Sequence, residues 1–237
     1  GDHLRVGYPL ADTIGGLTAA MAISAALNKT PRGQFIDVSM LDSLLTTMGW
    51  VVSNYLIGGI EPTKQGNENI TSAPSGSFNT KDGLLNIAAN EEHQWQTLIS
   101  HLGCKHLAND DRFANRENRK IHRYQLNQEL EKFLVAKPAT IWEEEFTKLG
   151  VPVGVVKSIP EILNDSHTYH RGLISEFKDV KGIDRDISLV RTGFHADGKP
   201  MEVTTPPPKL GQHNQELLSE LGYNQETIDR FIAEGII

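Results

Sequence analysis

The chain has 237 residues, of which 38% are hydrophobic and 22% charged, and its formal net charge is −7. This is the composition of a soluble globular protein, with apolar material for one large domain or two smaller ones. No Lys/Arg block occurs, so nucleic acid is not an expected partner: no basic stripe exists to displace its counterions.

The predicted elements fall into blocks. Residues 4–56 read strand, helix, strand, helix. A strand-like segment ends near Ala11, and a helix rich in Gly and Ala runs from Thr13 to about Leu27. Pro31-Arg32-Gly33 is a turn, and Gln34 to Met40 alternates, with Ile36, Val38 and Met40 on one face. A second helix then places Leu41, Leu44, Leu45, Met48, Val51, Val52 and Tyr55 on one stripe. Strand followed by helix, repeated, is the pattern of a parallel α/β layer.

A polar stretch without periodicity, Gly58 to Ser75, comes next; loops of that length are usually functional or disordered. Gly76–Thr80 and Leu84–Ala89 then form a predicted hairpin about Lys81-Asp82-Gly83. Helices are predicted near Glu92–Leu102, Arg116–Leu134 and Ile141–Leu149, the last opened by a Thr140/Glu143 capping box. A short strand, Val151–Val156, precedes a second box, Ser158/Glu161. Further on lie two strand candidates, Leu173–Phe177 and Ile187–Phe194, then an extended proline strap at Thr204–Pro208. Helices at Asn214–Leu221 and Gln225–Glu234 follow, with Gly222 and Gly235 placed to end them. The implied division is residues 1–57, a linker and loop at 58–75, a small α+β domain at 76–165, and a return strap with terminal helices at 166–237.

Familiar chemical signatures are missing: the sequence has no G-x-G-x-x-G, P-loop, H-E-x-x-H, C-x-x-C or G-x-S-x-G. His101-x-x-Cys104-x-His106 holds metal-ligand residue types but lacks a fourth partner, so no metal is expected; His167 and His170 read as solvated. The single cysteine excludes an internal disulfide and fits a reducing, cytoplasmic setting. No apolar run approaches bilayer length and no signal-peptide pattern opens the chain, so no membrane partner is expected. The start on Gly1 reads as a piece of a longer protein, whereas Ile228–Ile237 reads as a finish. Asp12 stands at the predicted start of the first helix. A carboxylate there faces the positive end of the helix dipole and unpaired N–H groups, which suits an N-cap or a ligand-facing anion.

Four stretches in order carry a family resemblance. They are Pro9-x-x-Asp12-x-x-Gly15-Gly16; Arg32-Gly33-Gln34-Phe35-Ile36-Asp37-Val38-Ser39-Met40-Leu41-Asp42; Gly66-Asn67 with Ala73-Pro74-Ser75-Gly76-Ser77-Phe78-Asn79-Thr80-Lys81-Asp82-Gly83; and Pro207 to Tyr223. Together they resemble the class III (formyl-CoA transferase/carnitine dehydratase) CoA-transferase family. The resemblance implies an α/β fold: an incomplete Rossmann-like large domain plus a smaller α+β domain, in a ring-shaped chain that forms an interlocked homodimer. It implies that Asp12 is the catalytic carboxylate, passing through an aspartyl anhydride and an aspartyl-CoA thioester to an acceptor carboxylic acid. Coenzyme A would be substrate and product, with no cofactor bound permanently.

Gly15, Gly16, Met40, Asn67, Ala73, Pro74, Ser75 and Gly76 match positions near CoA or acyl group, although Gly15, Gly16 and Met40 equally fit plain packing. The segment 67–76 corresponds to a loop that covers the active site in the formyl-CoA branch. It has no glycine string here, and Pro74 should stiffen it. The family's first portion, which holds most CoA nucleotide contacts, is not in this chain, so the isolated chain is expected to bind CoA poorly. Two alternatives stay open: an α-methylacyl-CoA racemase of the same family, whose partner His would lie upstream, and a non-catalytic interaction subunit.

Overall fold

A computed structural model describes residues 4–237 as a mixed α/β chain. Two compact units divide it, one ending at Val156 and the other covering Lys157–Ile237. The first unit opens with three helices: α1 (Leu10–Leu27), α2 (Met40–Thr47) and α3 (Trp50–Gly58). Ser39 starts α2, its Oγ accepting the Asp42 N–H at 3.2 Å.

The predicted second helix is in fact two. Gly49, at φ +49° and ψ −117°, occupies backbone space open essentially to glycine, and it breaks the stripe between Met48 and Trp50. The predicted strands before α1 and at Gln34–Met40 do not form, and α1 begins at Leu10 instead of Thr13. Residues 34–39 are irregular and pair with no strand among the described residues; without a neighbour to bond its N–H and C=O groups, an alternating pattern makes no ladder. The reading that no apolar stretch nears bilayer length is also corrected. With 18 residues and a mean hydropathy of 1.5, α1 is long and apolar enough to cross a membrane by length and composition. Its apolarity is carried by Ala, Ile, Leu and Met spread all around the helix among Gly, Ser and Thr, which is why no compact run stands out.

After an irregular stretch, the hairpin forms as expected: β1 (Ser75–Asn79) and β2 (Leu84–Ala88) pair antiparallel, with Phe78 opposite Leu85. A third strand, β3 (Val153–Val155), joins β2 to give the order β1-β2-β3. Helices α4 (Glu92–His101), α5 (Arg116–Ile121), α6 (Arg123–Leu134) and α7 (Ala139–Lys148), with a 3-10 turn at Lys105–Asn109, complete this part.

Phe78, Leu85, Ile87, Trp95, Leu98, Phe113, Leu126, Leu130 and Phe146 are fully buried in one cluster. Each such side chain contributes about 1.5–3 kcal/mol by leaving water. The predicted helix over Arg116–Leu134 is interrupted at His122 (φ −101°, ψ 25°), where Arg123 Nε donates to the Lys120 carbonyl at the end of α5. The Thr140/Glu143 box is likewise corrected. Pro138 precedes α7, Asp82 in the hairpin turn accepts the Ala139 N–H at 2.9 Å, and Glu143 accepts the Val155 N–H at 3.0 Å.

In the second unit the Ser158/Glu161 box does open α8 (Ile159–Leu163), and α9 (Ser166–His170) follows. Strands β4 (Ile174–Phe177) and β5 (Ile187–Val190) form an antiparallel pair, and β6 (His195–Ala196) and β7 (Lys199–Pro200) a minimal hairpin. The strap at Thr204–Pro208 has neither helix nor strand. The terminal helices α10 (Asn214–Glu220) and α11 (Gln225–Ala233) are each followed closely by a left-handed glycine, Gly222 (φ +89°) and Gly235 (φ +66°).

Candidate functional site

The first cluster is built on the start of α1. Pro9 holds the N-cap position, no side chain caps the helix, and the Thr13 N–H reaches the Pro9 carbonyl at 3.0 Å. Asp12 is therefore not the cap; it is the third residue of the first turn, exposed, and among the described residues its carboxylate accepts no hydrogen bond. Orphan N–H groups and the helix dipole still make this end favourable to negative charge.

Gly15 and Gly16 lie three and four residues on, so all three share one helix face. Gly15 is buried, and a Cβ there would stand 3.3 Å from Met40 Cγ. The close approach of α1 to the start of α2 thus accounts for Gly15, and Met40 begins a helix instead of ending a strand. Gly16 is exposed and has nothing within 4 Å of a built Cβ.

The second cluster is the segment leading into β1. Asn67 is exposed, whereas Ala73, Pro74, Ser75 and Gly76 are buried. The Asn69 N–H bonds to the Ser75 carbonyl at 2.9 Å, and Asn69 Oδ1 accepts both the N–H and the hydroxyl of Thr71. The Glu68 carboxylate lies against Gly76: a Cβ at Gly76 would come within 2.7 Å of both Glu68 oxygens. Asn127 Nδ2 donates to Glu68 Oε1 at 2.8 Å, while Glu68 Oε2 is buried with no partner among the described residues. Burial raises the Glu68 pKa, against the opposing pull of Asn127 and Arg123. Glu68 also borders a cavity of about 350 Å³ shared with Trp50, Asn54, Ile60 and Ile70.

The sequence reading missed Glu68, Asn127 and three arginines of α5–α6 that touch this segment. The arginines carried a signal in their spacing, since positions 116, 119 and 123 would share one face of the continuous helix predicted over Arg116–Leu134. The structure joins Gly15 to Met40 and 69–76 to α5–α6; among the described residues no hydrogen bond or ion pair ties Asp12 to the second cluster.

Elsewhere, His101 Nε2 meets Glu145 at 2.8 Å, with Trp142 and Phe146 edge-on to its ring. Cys104 is buried and its thiol is pushed up to about 11 by that burial, which removes it as a nucleophile. Among the described residues no group of three His, Cys, Asp or Glu side chains is arranged to hold a metal ion.

Comparison with known proteins gives these observations a context. The family model for CoA-transferase family III matches residues 1–214. Succinyl-CoA:glutarate CoA-transferase of Mus musculus is 30% identical over 241 residues, covering 100% of this chain and 55% of the mouse protein. Succinate–glutarate CoA-transferase of Agrobacterium fabrum is 30% identical over 238 residues, 97% of this chain and 57% of that protein. Among solved structures, a CAIB/BAIF family protein from Brucella suis superposes with a TM-score of 0.77 at 28% identity, over 93% of this chain and 57% of the other. The chain thus spans little more than half the length of the curated relatives it matches. On the family match over residues 1–214, the chain belongs to CoA-transferase family III.

Proposed function

We propose that this chain carries the nucleophile of a CoA-transferase, and that the nucleophile is Asp12. The observation that carries the reading is the uncapped start of α1, with an exposed carboxylate in its first turn and an open glycine, Gly16, on the same face. A carboxylate so placed faces the positive end of the helix dipole and, being exposed, is reachable by a thioester. The neighbouring N–H groups are available to an oxyanion.

In the proposed sequence the Asp12 carboxylate attacks the acyl-CoA carbonyl and expels CoA thiolate, forming a mixed anhydride. The thiolate then attacks the aspartyl carbonyl and releases the donor acid, leaving an aspartyl-CoA thioester. The acceptor carboxylate attacks that thioester and expels the thiolate once more. Return of the thiolate to the acceptor-derived carbonyl completes the new acyl-CoA and frees Asp12. Donor and acceptor are proposed as dicarboxylates, succinyl-CoA and glutarate, on the names of the two relatives.

We also infer that α1–α3 and the irregular residues 34–39 are part of a Rossmann-like domain that the rest of a longer protein completes. Leu17, Met21, Leu27, Leu41 and Leu56 are all exposed, which suits faces awaiting cover. On this reading the added part supplies most contacts to coenzyme A and shields Asp12 from water, and the working form is a homodimer. The test uses the full-length protein with succinyl-CoA and glutarate, quenched with hydroxylamine. Asp12 should be recovered as its hydroxamate, and Asp12→Asn should lower transfer by about a thousandfold or more with the fold intact. Transfer persisting in Asp12→Asn, or an adduct on another residue, overturns the assignment.

A further inference from the structure

The segment before β1 is held from outside by an arginine ladder. Arg123 Nη1 donates to the Asn69 carbonyl at 2.7 Å and Nη2 to the Ile70 carbonyl at 3.4 Å. Arg116 Nη2 donates to the Thr71 carbonyl at 3.1 Å, and Arg119 Nε to the Ala73 carbonyl at 3.1 Å. Four carbonyls within five residues are therefore bound by guanidinium groups of the neighbouring helices. Two of these groups are themselves fixed. Arg119, with 3% of its side chain exposed, pairs with Glu92 at 2.6 Å, donates to the Phe113 carbonyl and stacks over Trp95; Arg123 also bonds the Lys120 carbonyl. The planar fork of arginine makes this double duty possible, where a lysine would offer one point of charge.

The far side of the segment is closed as well. The Asn69 N–H bonds to Ser75, and the Glu68 carboxylate, bonded by Asn127, occupies the space over Gly76. Swinging this stretch outward would break several charge-assisted bonds at once and leave buried donors unpaired.

We propose that Arg116, Arg119 and Arg123 are positioning residues that clamp Asn69–Ala73 into a fixed wall of the substrate site, so that it does not open and close with each turnover. The clamp itself rests on the geometry above; its place at the substrate site rests on the transferase reading. A wall of this kind selects the acceptor acid by fit.

Hydrogen exchange of peptides covering 67–76 tests the clamp, on this chain and on the full-length protein, with and without succinyl-CoA. Exchange in the wild type should be slow and unaltered by the thioester. Arg123→Ala and Arg116→Ala should each speed it about tenfold or more, and Arg123→Lys should restore part of the protection. Arg116 is exposed, so its variant keeps the test open if Arg123→Ala folds poorly. In transfer assays Arg123→Ala should raise the KM for glutarate about tenfold and change kcat less than about threefold, with partial rescue by lysine. Thioester-dependent protection in the wild type, unaltered exchange in both alanine variants, or a fall in kcat at constant KM would each overturn the proposal. If wild-type protein moves no CoA at all, the transferase reading fails, while the exchange data still decide the clamp.

Discussion

The two halves of the first unit make opposite use of their apolar residues. Between Ala73 and Val155, Phe78, Trp95, Leu98, Leu126 and Phe146 are 0% exposed beneath a three-stranded sheet. Between Leu10 and Gly58, Leu17 is 63% exposed, Met21 68% and Leu56 73%. Both halves are rich in apolar residues; what differs is whether the chain supplies the opposing layer. The later half carries its own sheet and helices and closes a core. The earlier half leaves much of its helices' apolar surface exposed, and this chain spans 55% of the length of the mouse relative.

The contrast can be broken most directly by truncation. Trp95→Ala should cost about 3–5 kcal/mol in urea unfolding, because it empties a fully buried site. Leu17→Ala in this chain should cost less than about 0.5 kcal/mol, since the side chain has little to lose. In the full-length protein the cost of Leu17→Ala should rise to about 2 kcal/mol or more if that face becomes covered. Equal, small costs in both proteins would mean that α1 stays bare.

A smaller effect is expected where the two halves meet. Gly76→Ala would drive a methyl into the Glu68 carboxylate and should destabilise by about 1–3 kcal/mol, with Glu68→Ala relieving most of it in a double-mutant cycle. The smallest effect is a pH slope. Burial holds the Glu68 carboxyl above the ordinary value of 4.5 that it regains on unfolding, so between those two values the folded chain binds more protons. Stability from this group is present below 4.5 and declines as pH rises through the folded value. Urea titrations from pH 4 to 7 should show that decline flattened in Glu68→Gln; an unchanged slope would assign it to other carboxylates.

These halves also differ in how much their sequences disclose. The hairpin was legible because Lys81-Asp82-Gly83 separates two runs that find each other across a short turn. The helices of the small domain were placed close to their observed spans, and Trp95/Leu98 and Leu126/Leu130 recur in them at helical spacing, although the break at His122 was not legible. Gln34–Met40 shows the limit: alternation marks which side chains share a face, but a strand also needs a neighbouring ladder, and that lies outside local sequence. Gly49 was hidden within an unbroken stripe, since periodicity is blind to a backbone dihedral.

For the candidate site, Asp12 and the 67–76 segment stood out through motif resemblance, as did Gly15, which packs against Met40. The arginine ladder was missed because its acceptors are carbonyls some 45 to 54 positions away, and any residue type supplies a carbonyl.

The tip of the β1–β2 hairpin has a practical consequence. Asp82 bonds the first N–H of α7, and the Lys81 N–H reaches the Lys137 carbonyl at 3.2 Å. Hairpin ends are ordinarily where a designer grafts an epitope or splices in a guest domain, because nothing leans on them. Here the bend doubles as the socket for a helix rooted 57 positions downstream. Extra residues inserted there would unseat α7 along with Trp142 and Phe146, so a label belongs elsewhere on this protein.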